Sequence, residues 1–437
     1  MKSKIFYIAI LTVFLVSTVC FLPKNASANQ KGVHITFVCN DKTFVYDQSK
    51  VVYDKRDHDT LSALERRGFW LDGKQKAELA KMVQAHGFGA DVAVKYLLVG
   101  IDKVFDDICS FANVAKIDSN IVFDTSWQNP FDYTPGRDGV RVDMAKLCSD
   151  IVKKLATQNK FVLQVPTAVE RATSVADNKN KTALRSFFET NCANSTQNRK
   201  DNIALALSKF DGMVVGVGES VSFNKVVGKR TMQNGYKQAK VILNGKYVDG
   251  VGGGVCQAST TLYNALLLAG LDVTEWHRHT LKSNYIKPSF DAMVNDNGAD
   301  LVFANNTDEK IYIKAKCDGQ SAKVWVYGVQ SEVEYKTLSV VEKKTKAQEV
   351  VFVDRNGDYA DKVTFEEDSF CLQNPVDGVE SKGYLVATKH GRTLHTKLLR
   401  TDNYAKVDKI VVKGAKKREQ KPDGFLPQAQ TYTICQA

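Results

Sequence analysis

Four glycines fall within the five residues from Gly250 to Gly254, and the chain then runs through Val255-Cys256-Gln257 into an apolar-striped stretch that ends at Gly270. No other stretch restricts the fold as strongly. A backbone nearly free of Cβ atoms takes positive φ readily and lies close to another chain or a ligand, but it is a poor way to build a core. The residues after it read as a helix, with Ala258, Leu262, Leu266 and Ala269 on one face. A glycine loop feeding a helix leaves unpaired N–H groups beside the positive end of the helix dipole, a setting that favours an anion. Cys256 occupies that setting, which lowers a cysteine pKa and makes the sulfur nucleophilic. The plainer reading, a small buried hydrophobe, is the commoner fate of a free cysteine. Spacing alone leaves both open.

Downstream of Cys256 lie His277, His279 and Asp291, and the two histidines belong to a set of only seven in the chain. Cysteine-based acyl transfer needs a thiolate, an imidazole to move protons, and a carboxylate or amide to orient that imidazole. The order Cys, His, Asp supplies these roles, with first-turn N–H groups, including that of Cys256, as an oxyanion hole. Two histidines one residue apart plus a distant cysteine make a weak metal pattern, so neither a metal nor another cofactor is expected. Ser259, Thr260 and Thr261 sit in the first helical turn, where hydroxyls cap the helix or touch a ligand. Trp276 beside the histidines either stacks on a substrate or packs structurally.

The compartment follows from the N-terminus. Lys2 and Lys4 precede an apolar run from Ile5 to Leu22, followed by Ala26-Ser27-Ala28. That pattern reads as a secretory signal peptide over residues 1–28, cleaved after Ala28. Export makes nucleic acid a poor partner for a chain of formal charge +11 and turns the reading toward the cell wall and its anionic polymers. No second run approaches the ~20 apolar residues of a membrane helix, so no membrane contact is expected beyond the signal segment. Eight scattered cysteines remain after cleavage, without a Cys-x-x-Cys pair. They indicate neither a zinc module nor a dense disulfide scaffold, and their pairing is not assignable.

At 437 residues the chain is long enough for two to four domains. The expected class is α+β, multi-domain. Residues 33–180 read as an α+β module: a hairpin of His34–Cys39 and Thr43–Tyr46, then a helical stripe through Ala77, Leu79, Met82 and Val83. A second stripe runs from Val92 to Phe105, and a helix over 142–155 is followed by a strand over 161–165. Cys109 and Cys148 lie on apolar helix faces as core. The polar run Asp177–Lys181 reads as a linker. Residues 190–330 hold a helix over 199–210, short strands, the glycine loop with its helix, and a hairpin of 301–304 with 311–315. Residues 331–437 read as a β-rich C-terminal region with strands at 350–353, 383–388 and 408–412, and a solvated charge run over 413–421.

These residues resemble the VanW domain over 199 to about 327. The matching pieces are Arg199 with Asn202-Ile203, Ser222-Phe223-Asn224, Val227-Gly228 and Arg230-Thr231. Gly235-Tyr236 and Ala239 follow, then Gly252-Gly253-Gly254-Val255-Cys256-Gln257 with Ser259-Thr260-Thr261-Leu262-Tyr263-Asn264-Ala265. Glu275, His279, Tyr285, Asp291-Ala292, Asp300-Leu301 and Asn305 complete the set. The preceding module is similar to the peptidoglycan-binding type that accompanies VanW and transpeptidase domains. The stretch from Ser381 to Gly414, through Tyr404 and Ile410-Val411-Val412, is similar to the small β module that follows VanW domains.

The resemblance implies L,D-transpeptidase activity, the cysteine-dependent formation of 3-3 cross-links in peptidoglycan, with stem peptides as partners. It implies Cys256 as nucleophile and His279 as base. Asp291 is the candidate orienting group. Gly253, Gly254, Gln257, Ser259, Thr260, Arg230, His277 and Tyr285 are assigned to substrate binding. Trp276 stands where the family usually has Arg, and Tyr285-Ile286-Lys287-Pro288-Ser289 departs from a Tyr-Val-Pro-x-Gly pattern, which bears on substrate preference. A peptidoglycan carboxypeptidase or endopeptidase, and a non-catalytic peptidoglycan- or glycopeptide-binding accessory protein, are the alternative readings.

Overall fold

A computed structural model describes residues 32–51, 71–85, 87, 89–243 and 246–418. The expected signal peptide, Cys435, the Asn244-Gly245 turn and the end of the charge run therefore lie outside the described residues. The chain is α+β and multi-domain, and its described residues fall into two compact units.

The first unit contains residues up to 120 together with 134–175. Strands β1 (His34–Cys39) and β2 (Lys42–Asp47) form the expected hairpin, with Asn40 at φ +53° in its turn. Helices α1 (Gly73–Ala85), α2 (Ala90–Leu97), α3 (Ile101–Ala112) and α4 (Met144–Leu155) follow. Strand β3 (Lys160–Gln164) then pairs parallel to β1. The apolar stripe from Val92 to Phe105 is broken into α2 and α3, because Gly100 takes φ +80°. Asp143 starts α4 by accepting the Lys146 N–H. Ile35, Phe37, Leu98, Ile101 and Cys148 are among the fully buried core residues. The polar run read as a linker lies in the short helix Val175–Lys181, in which Asn178 is buried.

The second unit, residues 121–133 and 176 onward, is organised on a four-stranded sheet. Its strands are β4 (Ala183–Asn191), β5 (Met213–Val215), β11 (Ile311–Cys317) and β12 (Ser321–Gly328), in the order β4-β12-β11-β5. Strand β12 alternates buried and half-buried residues along its length, as a sheet with one face on a core requires. Helix α5 (Gln197–Ser208) and the buried helix α7 (Val255–Leu268) pack on that sheet. Between them come β6 (Ser220–Ser222), α6 (Phe223–Val227) and the hairpin β7 (Gln238–Leu243) with β8 (Lys246–Val251).

The hairpin expected from 301–304 and 311–315 does not form. Strand β10 (Val302–Ala304) instead lies between β6 and β9 (Asp272–Glu275). Asn305 turns the chain away, donating from its side chain to the carbonyls of Val215, Gly216 and Glu309. The C-terminal β module has two three-stranded sheets. One is β13 (Val333–Thr345), β16 (Gly378–Lys389) and β17 (Arg392–Tyr404). The other is β14 (Glu349–Asp354), β18 (Lys409–Gly414) and β15 (Ser369–Gln373).

Candidate functional site

The glycine loop is built against neighbours that exclude side chains. A Cβ on Gly253 would stand 2.6 Å from the Lys240 carbonyl oxygen. Gly254, the N-cap of α7, has φ +110°, and a Cβ there would stand 2.9 Å from the Arg199 carbonyl oxygen. Asn202 holds the loop from α5 by donating to the Gly253 carbonyl at 2.9 Å. Cys256 therefore sits in the first turn of α7, half-buried, with its thiol donating to the Val294 carbonyl at 3.3 Å.

From Trp276 to Leu301 the chain has neither helix nor strand, and this loop carries His279 and Asp291. Asp291 is 1% exposed and His279 6% exposed. The Asp291 Oδ2 accepts two bonds from His279, at 2.7 Å from its backbone N–H and at 2.7 Å from Nδ1. An ionised carboxylate only accepts, so Nδ1 carries the proton and Nε2 is the free face of the imidazole. The same imidazole and the Cys256 sulfur interact, each shifting the other toward its charged form.

Electrostatics reinforce this arrangement. Burial by itself pushes the Cys256 thiol up, but the bond and charge of His279, with Arg230, outweigh it and hold the thiol below its ordinary value. Burial opposes the His279 cation, yet Tyr285, Asp291 and Cys256 together raise the imidazole well above its usual range. Asp291 is lowered to about 2: burial resists, and His279, Arg400 and Tyr404 prevail. Each shift runs toward the charged form of its group: thiolate, imidazolium and carboxylate.

The other expected residues are placed as follows. Tyr285 is half-buried and interacts with His279 and Cys256. His277 faces elsewhere, with Nε2 2.9 Å from Glu275 Oε1. Arg230 pairs with Asp296 at 2.5 Å and bonds the Asn224 side chain. Gln257 is buried and held by Arg199, Thr190 and the Asn191 carbonyl. Ser259 and Thr260 are also interior: Ser259 donates to the Ala292 carbonyl at 2.6 Å, and Thr260 accepts the Ala292 N–H at 3.0 Å. Trp276 lies against Arg400, whose guanidinium carbon is 4.4 Å from the ring centroid.

Two residues outside the expected set reach the centre. Arg400 and Tyr404, both on β17, contact the Asp291 carboxylate. No local pattern marks them. Among the described residues, no group of three or more His, Cys, Asp or Glu is placed to hold a metal ion, and no helix is long and apolar enough to cross a membrane.

Residues 198–327 match the model of the family described as VanW like protein. Over 133 residues the chain is 42% identical to the uncharacterized protein YoaR of Bacillus subtilis (strain 168), covering 30% of this chain and 44% of that one. Over 144 residues it is 31% identical to the Vancomycin B-type resistance protein VanW of Enterococcus faecalis (strain ATCC 700802 / V583), covering 29% of this chain and 52% of that one. The chain thus spans about half the length of the curated relatives it matches. Among solved structures, the crystal structure of HP0197-G5 aligns over 19% of this chain and 100% of its own, at 23% identity and a TM-score of 0.12. The IgA1 protease G5 domain aligns over 20% of this chain and 92% of its own, at 18% identity and a TM-score of 0.14.

Proposed function

Because residues 198–327 form a VanW-like domain, we propose that this chain is an exported cell-wall enzyme, an L,D-transpeptidase that forms 3-3 cross-links between peptidoglycan stem peptides. The observation that carries the proposal is Cys256 in the first turn of a helix, interacting with a His279 that Asp291 holds by two hydrogen bonds. In the first half-reaction the Cys256 thiolate adds to the carbonyl carbon joining the third stem residue to a terminal D-Ala. The oxyanion is met by the Cys256 N–H in the first turn of α7, since the Val255 and Gln257 N–H groups are closed onto the Gly252 and Gly254 carbonyls. The C–N bond breaks, His279 gives its Nε2 proton to the departing amine, and a thioester remains. In the second half-reaction the side-chain amine of a neighbouring stem attacks the thioester, His279 takes its proton, and the thiolate leaves.

Domain limits of 33–180, 190–330 and 331–437 belong to the same proposal, the outer regions holding the enzyme on wall polymer. Incubating the full chain with a stem tetrapeptide should add the mass of a tripeptide acyl group to Cys256 and release one D-Ala per thiol. Addition of an amine-bearing acceptor stem should then give a dimer. Absence of the adduct from the native protein, with Cys256 shown to be reduced, would sink the proposal. Trimmed stems without dimers would replace it with a carboxypeptidase.

A further inference from the structure

The two oxygens of the Asp291 carboxylate serve different parts of the chain. Oδ2 accepts both bonds from His279. Oδ1 accepts the Tyr404 hydroxyl at 2.5 Å and Arg400 Nη2 at 3.2 Å, while Arg400 Nη1 donates to the Asp291 carbonyl at 2.6 Å. We infer that Arg400 and Tyr404 are positioning residues for Asp291, so that the C-terminal β module is a working part of the candidate site; this rests on the reading of Cys256 as the nucleophile.

The proton on Tyr404 has one good destination. Its oxygen already accepts the Ser289 N–H at 2.8 Å, and of the two carboxylates near it Asp291 is at 2.5 Å and Asp402 at 3.4 Å. The hydroxyl therefore donates to Asp291. Arg400 is as buried as its partner, each side chain being 1% exposed. A buried guanidinium is costly unless its donors are met. Asp402 takes Nε at 2.6 Å, Trp276 covers the plane, and Tyr263 approaches from α7. The remaining two nitrogens each donate to Asp291. With Oδ1 held in this way, the carboxylate cannot swing away from His279, and Nδ1 keeps its proton.

Docking of the module has bonds of its own. Ser339 donates to the Pro288 carbonyl at 2.7 Å, Ser381 and Ser289 share a hydroxyl bond at 2.8 Å, and the Ala405 N–H donates to the Thr280 carbonyl at 2.9 Å. Loss of one docking bond and loss of the Asp291 contact can therefore be told apart.

The test uses the full chain and follows alkylation of Cys256 by iodoacetamide against pH, read by peptide mass. The native protein should react from below the pH of a free thiol. Tyr404→Phe should move the midpoint upward, and each pH unit of that movement slows alkylation below the midpoint about tenfold. Ser339→Ala should lose thermal stability yet keep the native profile. Arg400→Lys, which keeps the charge but not the planar fork, should slow alkylation in the same sense as Tyr404→Phe. A native profile in Tyr404→Phe overturns the inference, as does an equal displacement in Ser339→Ala. Failure of both site variants to fold would assign the pair a structural role and overturn it too. Stem-peptide acylation is kept out of this readout, so its absence from the native protein would sink the functional reading alone.

Discussion

Asp291→Asn places an N–H among donors. The native carboxylate is met by four: the backbone N–H and Nδ1 of His279 on one oxygen, Arg400 and Tyr404 on the other. An asparagine has one acceptor oxygen and an NH₂ that only donates. If the NH₂ faces His279, the imidazole must shift its proton to Nε2, which can then no longer take a proton from Cys256. If it faces β17, it meets a guanidinium that accepts nothing. The first orientation should cost activity by a factor of up to about 10⁴, the cost of the corresponding substitution in a serine protease triad.

The stability cost follows from the carboxyl itself, lowered to about 2 from 3.8. At about 1.36 kcal/mol per pH unit, its ionisation contributes roughly 2.5 kcal/mol to the folded state at neutral pH. The folded value is depressed, so this contribution is fully present above the unfolded value and is lost as pH falls through the folded one. Urea unfolding of the native and variant chains should therefore show a deficit of roughly that size at neutral pH, narrowing between about pH 4 and pH 2. A deficit unchanged across that range would refute the assignment of Asp291 as a buried, paired carboxylate.

Other expectations are as direct. His279→Ala should bring Cys256 alkylation at neutral pH down to that of an ordinary buried thiol. His277→Ala, whose ring pairs with Glu275, should stay within about twofold of native, as expected for a half-exposed side chain away from the thiol. Gly254→Ala combines φ +110° with a Cβ 2.9 Å from a carbonyl oxygen, whereas Gly298→Ala has φ +123° with nothing within 4 Å. Denaturant midpoints should show both destabilised by backbone strain of about 1–3 kcal/mol, with Gly254→Ala clearly the worse. Maleimide at neutral pH should label Cys256 and leave Cys148 and Cys192, whose thiols burial pushes up to about 12; mass mapping decides.

Local chemistry made parts of the fold readable. The Asn40-Asp41 turn between alternating strands made β1 and β2 readable, and the apolar spacing from Val142 to Leu155 made α4 readable. Pairing between distant segments was not readable. Residues 301–315 carry every mark of a hairpin, yet β10 and β11 join different sheets, because Asn305 ties the turn to Val215 and Gly216 some ninety residues away. The long strands β13 and β17 escaped notice because much of each is exposed. A strand with no fully buried residue carries few of the strongly apolar positions that mark a strand in the sequence.

The site shows a similar division, for a physical reason. Cys256, His279 and Asp291 fall within 36 residues of one another, close enough for composition to suggest the trio. What holds them does not. The loop from Trp276 to Leu301 has no regular structure of its own, so its buried polar backbone must be satisfied by side chains. From one side α7 supplies them: Ser259 and Thr260 bond Ala292, and Asn264 donates to the Phe290 carbonyl at 2.8 Å. Hydroxyls on a glycine-led helix suggest ligand contacts; in a helix buried all round, they are the partners of an irregular loop. From the other side come Tyr404 and Arg400, the latter 109 residues from Asp291 and set among the basic residues of the C-terminal module. An arginine in such company reads as surface charge. It is buried because a carboxylate that must stay ionised in the interior needs a cation beside it.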